Sequence, residues 1–77
     1  MSIKILFFGS VTDITGQKEL TAENISDTNT LKNYLLNKFP KINGLNFVIA
    51  RNQEAITDNV PLNDGDEVAL LPPFSGG

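Results

Sequence analysis

A chain of 77 residues with 40% hydrophobic content has material for one modest core, burying roughly 60–65% of the surface its unfolded form exposes. That leaves no room for an elaborate internal active site. A net charge of −3, with six Lys and Arg residues scattered rather than clustered, argues against nucleic acid, which needs a basic patch. Cysteine and histidine are both absent, which excludes disulfides, soft metal sites and Cys/His nucleophile pairs and points to a reducing compartment. The apolar run at residues 3–8 is too short for a signal peptide or a membrane span. The expectation is a soluble cytoplasmic protein with neither nucleic acid nor membrane as a partner.

Residues 3–8 alternate, with Ile3, Ile5 and Phe7 on one face and Lys4, Leu6 and Phe8 on the other. A strand apolar on both faces belongs near the centre of a sheet. Gly9 to Gly16 breaks it, and Val11 and Ile14 are spaced to pack one short helical turn over the edge of the core. Residues 18–23 alternate more weakly and return as a second strand. A helix follows: Leu31, Tyr34, Leu35 and Phe39 fall on one apolar stripe, Thr28 is its N-cap with Asp27 as the alternative, and Pro40 ends it. The spacing of Tyr34 and Phe39 is that of buried core rather than of a ligand-stacking pair.

Residues 47–50 read as a strand, residues 51–54 turn the chain, and residues 55–57 return briefly. Asn63-Asp64-Gly65-Asp66 is a tight reversal. Residues 67–71 form the last strand, which Pro72-Pro73 ends by removing two ladder donors. The order β-β-α-β-(β)-β fits a mixed sheet of four to five strands packed on one main helix, with first and last strands parallel at its centre. That is the β-grasp arrangement, α+β by class. The domain spans residues 1–71, and residues 72–77 form a flexible C-terminal tail.

The tail reads Pro72-Pro73-Phe74-Ser75-Gly76-Gly77. The prolines send it out stiff and extended. Phe74 has no evident core to join, and the two residues without a Cβ stand at the tip, where a narrow channel requires them. Six residues reach up to ~20 Å, enough to enter another protein's pocket. Ordering them costs about 6–12 kcal/mol, whereas burying Phe74 returns only about 1.5–3 kcal/mol. The tail therefore needs the body to dock as well. The sheet face opposite the helix, with Leu6 and Phe8, is the candidate surface; the competing reading makes both apolar sets of the strand core. The Gly77 carboxylate is inert at neutral pH until activated, usually as an acyl-adenylate. A chain without cysteine can hold sulfur there as a C-terminal thiocarboxylate.

Residues 62–77 closely resemble the C-terminal signature of the small, sulfur-carrying subunit of molybdopterin synthase, a ubiquitin-like β-grasp family. Ile5-Leu6-Phe7-Phe8-Gly9 and the short loop to Gly16 match that family's start, and the length fits end to end. Diglycine alone is shared by all ubiquitin-like modifiers and carriers; Asp64-Gly65-Asp66-Glu67-Val68 followed by Pro72-Pro73 and Gly76-Gly77 is far more specific. The resemblance implies that an E1-like partner adenylates Gly77 with ATP and that a sulfur donor converts the adenylate to a thiocarboxylate. The large catalytic subunit then receives the tail, and the sulfur passes to cyclic pyranopterin monophosphate in molybdenum cofactor biosynthesis. It further implies a heterotetramer with two carriers on a large-subunit dimer, no cofactor bound by the carrier itself, and the acid/base residues on the partner. Gly77 carries over as the modified residue and Gly76 as its steric companion. Ser75, Phe74 and Pro73 fall in the partner-binding tail, Phe74 standing where the family often has a smaller apolar residue. The alternatives are a thiamine-pathway sulfur carrier, which usually lacks Pro-Pro, a ubiquitin-like protein modifier, and an interaction module with an unmodified tail.

Overall fold

In a computed structural model, which describes residues 2–44 and 46–72, alternation and stripe become elements. They run β1 (Ser2–Phe7), α1 (Ser10–Thr15), β2 (Glu19–Glu23), α2 (Thr28–Lys38), a 3-10 turn (Pro40–Ile42), β3 (Val48–Arg51), β4 (Glu54–Ile56) and β5 (Glu67–Leu71). The strands make one five-stranded sheet in the order β2-β1-β5-β3-β4. β1 and β5 pair in parallel, and every other pairing is antiparallel. First and last strands therefore lie side by side within the sheet, as their two-faced hydrophobicity requires. The fold is α+β, a mixed sheet on one main helix.

The register sorts the core. Ile5 stands opposite Val68 and Phe7 opposite Leu70, and Leu70 in turn faces Ile49. Ile3, Ile5, Phe7, Val68 and Leu70 are buried together with Leu31 and Leu35 from α2 and Val11 from α1. Phe39 meets Phe7 edge to face, ring centres 6.0 Å apart and planes at 81°, the geometry that aromatic quadrupoles favour. Three further core residues come from segments without strong periodicity: Ile25, Ile42 on the 3-10 turn, and Leu62.

Asp27 caps α2. Its backbone is extended, and its carboxylate accepts the Thr30 N–H at 2.8 Å. Thr28, the first residue the stripe suggested for this role, is already inside the helix and buried. Its hydroxyl is engaged elsewhere, donating to Asn59 Oδ1 at 3.0 Å and accepting the Val60 N–H at 3.0 Å. Asn59 Oδ1 also accepts the Asn29 N–H at 2.8 Å, so one amide latches the loop after β4 onto the start of the helix. At the other end the Phe39 N–H donates to Leu35 O, and Pro40 opens the 3-10 turn. β3 begins one residue later than the hydrophobic run suggests and includes Arg51, which pairs with Val68 and donates to Pro61 O at 2.9 Å.

Candidate functional site

The face of the sheet turned away from α2 is assembled by register. Leu6 faces Ala69, Ala69 faces Ala50, and Ala50 faces Ala55, so a row of three alanines crosses β5, β3 and β4 and ends on Leu6 of β1. A second row pairs Leu71 with Val48. Leu6, Ala69, Leu71 and Val48 are half-buried with no helix over them among the described residues, and Phe8, two residues beyond Leu6, remains 44% exposed. Leu6 and Phe8 are thus on the outer face, and the reading that made them core is excluded. Beside them lies an open groove of about 530 Å³, bounded by Leu6, Phe8, Gly9 and Thr12 and closed on the β2 side by Lys18 and Glu19. Apolar side chains thus stand on this face, with Lys18 and Glu19 at its rim.

The signature that dominates the sequence has a structural role. Asp64 Oδ1 accepts the Ser2 N–H at 2.7 Å, and the Gly65 N–H donates to Ser2 O at 2.8 Å, fastening the turn to the start of β1. Asp66 accepts the Asn63 N–H through one oxygen at 2.8 Å and the Asn52 amide through the other at 3.2 Å. Asn52 Oδ1 accepts the Glu67 N–H at 3.0 Å. The Asn63 N–H, with help from Asn52 and the nearby Arg51 charge, holds the Asp66 carboxyl below the usual carboxylate range. Hydrogen bonds from Thr30, side chain first and then N–H, and from Asn59 do the same for Asp27. Both groups therefore stay ionised at neutral pH, as acceptors rather than as proton donors. Asp27 holds the start of α2, whereas Asp66, through Asn52 and its bond to the Glu67 N–H, fastens the entry to β5.

The point at which the chain leaves the sheet is well defined. The Phe8 N–H donates to Leu70 O at 3.1 Å, extending the β1–β5 ladder past the end of β1, and Pro72, which has no N–H, ends it. Pro72 sits against Gly9. Of the residues expected to act, Leu6 and Phe8 are thus brought to one face adjoining this exit. Pro73, Phe74, Ser75, Gly76 and Gly77 lie outside the described residues. Sequence reading overlooked Gly9, whose partner is 63 positions away, and the alanine row, although the alternation of residues 67–71 already placed Ala69 and Leu71 opposite Val68 and Leu70.

A mixed five-stranded sheet on one main helix, with first and last strands parallel at its centre and an apolar outer face beside the exit of the last, is the ubiquitin-like β-grasp arrangement. The ThiS family model matches residues 5–77. In sequence the chain is 36% identical to the molybdopterin synthase sulfur carrier subunit of Arabidopsis thaliana, over all of this chain and 84% of that one. In structure it matches the putative molybdopterin converting factor subunit 1 of Pyrococcus furiosus with a TM-score of 0.87 at 20% identity, covering 95% of this chain and 98% of the other, a likeness of fold. It also matches a chain from the complex of subunits 1 and 2 of the molybdopterin-converting factor of Helicobacter pylori, with a TM-score of 0.74 and 29% identity over the full length of both. The chain belongs to the ThiS family and, within it, to the molybdopterin synthase sulfur carrier subunits.

Proposed function

We propose that Gly77 is where this carrier holds its sulfur. An E1-like enzyme uses ATP to adenylate the Gly77 carboxylate, releasing pyrophosphate; a sulfur donor displaces AMP and leaves a thiocarboxylate. The body docks through Leu6, Phe8 and the alanine row on a large catalytic subunit, with Pro73, Phe74, Ser75 and Gly76 threading toward its active site. There the thiocarboxylate gives its sulfur to cyclic pyranopterin monophosphate. Two carriers serve a large-subunit dimer. The division of labour follows from the chemistry: the carrier supplies a tethered nucleophile at high effective concentration, and the partner supplies proton transfer and substrate binding.

The observation that carries this reading is the full-length similarity to sulfur carrier subunits, with the matched region running through Gly77. The solved complex of the related H. pylori chain with its subunit 2 supports a large-subunit partner. The test is mass analysis of the intact protein after incubation with an activating enzyme, ATP and a sulfur source. The expected product carries one oxygen-to-sulfur exchange at Gly77, and the variant lacking Gly77 keeps its fold and gains nothing. Sulfur gain or transfer by the truncated chain would refute the assignment. Isopeptide attachment to other proteins would mark a modifier instead.

A further inference from the structure

Gly9 stands where β1 gives way to α1, and its backbone (φ 59°, ψ −135°) lies in territory that L side chains rarely enter. Its surroundings pin it there. The Thr12 N–H donates to Gly9 O at 3.1 Å, the Val11 N–H to Phe8 O at 3.2 Å, and the Thr12 hydroxyl to Phe7 O at 2.9 Å, while the Phe8 N–H is held by Leu70 O. Directly over Gly9 lies the ring of Pro72. A Cβ at position 9 would fall 2.9 Å from Pro72 Cγ and 3.2 Å from Cδ, closer than carbon atoms approach without one side giving way. Gly16 differs: its φ is 71°, yet a Cβ there would meet nothing within 4 Å. Both have positive φ, but Gly16 (ψ 12°) lies in the αL region and Gly9 (ψ −135°) outside it, and the close approach belongs to Gly9.

We propose that Gly9 is a positioning residue for sulfur transfer, an open seat that receives the Pro72 ring and so fixes the direction in which residues 73–77 leave the sheet. This rests on the carrier function proposed above. The seat is rigid on one side, because α1 and the β1–β5 ladder hold Gly9, and rigid on the other, because a pyrrolidine ring fixes its own φ. Five residues beyond it span up to ~16 Å, so the direction in which they start limits which partner atoms Gly77 reaches. Reactions that depend on near-attack placement lose up to about 10²-fold for an error of about 1 Å. Docking itself uses Leu6, Phe8 and the alanine row, with Gly9 in the wall of the groove beside them, so KM is read alongside turnover.

Gly9→Ala and Gly16→Ala are to be compared in thiocarboxylated form with the large subunit, at a temperature where both are folded. Each adds a methyl group at positive φ, so both lose stability, Gly9→Ala the more because its backbone lies outside αL; only Gly9→Ala also obstructs the ring. The expected result is a turnover about tenfold or more lower for Gly9→Ala, with KM for the large subunit within about twofold of wild type, and near-normal turnover for Gly16→Ala. In the wild-type carrier, with no partner present, a proton NMR cross-peak between Gly9 Hα and the Pro72 ring is expected, and its loss in Gly9→Ala but not in Gly16→Ala. Equal turnover in the two variants, or no such cross-peak in wild type, overturns the proposal. Failure of wild type to acquire sulfur would instead overturn the carrier function, and the cross-peak alone would then decide the seat.

Discussion

Replacing Phe8 with alanine measures how much of the docking energy the outer face supplies. Phe8 retains 44% of its surface in the free carrier, so for a side chain of roughly 200 Å² about 90 Å² is left for a partner to cover. At ~25 cal/mol per Å² that area corresponds to about 2 kcal/mol, or roughly a thirtyfold rise in Kd. The rest of the side chain is already covered within the carrier, so the variant also loses stability, and both proteins need to be shown folded by circular dichroism at the assay temperature. Calorimetric titration into the large subunit gives the two Kd values. A change of less than twofold, with both carriers folded, would show that Phe8 is not at the interface and would remove the outer face as the docking surface.

Two further outcomes follow from the loop and from the titrating groups. Asn59→Ala leaves the buried Thr28 hydroxyl without its acceptor; an unsatisfied buried hydroxyl costs about 1–3 kcal/mol, so Tm should fall by several degrees, and an unchanged Tm would show that the latch contributes nothing. Asp27 and Asp66 both have folded-state pKa values below their ordinary ones, so the unfolded chain binds protons first as pH falls. Their stabilisation is therefore complete above the unfolded carboxyl value of about 3.9 and is lost as pH drops through the folded values. Tm should be flat from neutrality to about pH 5 and decline below about pH 4. Asp27→Asn, which still caps the helix but cannot titrate, should show a shallower decline; an identical acid limb would contradict the assigned contribution of Asp27.

The elements with clear periodicity were legible from the chain alone. The stripe of Leu31, Leu35 and Phe39 gave α2, and the two apolar faces of residues 3–8 and 67–71 gave the parallel pair inside the sheet, because period and two-sided burial are local properties of a segment. What depended on distant partners was not legible. Ile25, Ile42 and Leu62 carry no periodic signal; Ile25 and Leu62 are core where the loop after β4 folds back to the start of α2, and Ile42 where the 3-10 turn closes on α1. Asp27 rather than Thr28 caps that helix because Asn59, more than thirty residues on, engages the Thr28 hydroxyl. The acidic signature shows the same divide. Asp64-Gly65-Asp66 reads from the sequence as a tight reversal, whereas its ties to Ser2, Asn63 and Asn52 depend on where the chain folds back. Whether Leu6 and Phe8 faced inward or outward waited on register.

The parallel pairing of β1 with β5 has a consequence during synthesis. The strand that completes the interior is the last one the ribosome makes, and until it arrives Ile5 and Phe7 lack the neighbours Val68 and Leu70 that cover them. Local contacts cannot compensate, since closing this pair joins segments more than sixty residues apart. A nascent or prematurely terminated chain stopping short of residue 67 therefore stays open, exposing apolar strand to chaperones and proteases. Any activating enzyme that recognises the finished sheet will for that reason encounter only chains long enough to have closed it.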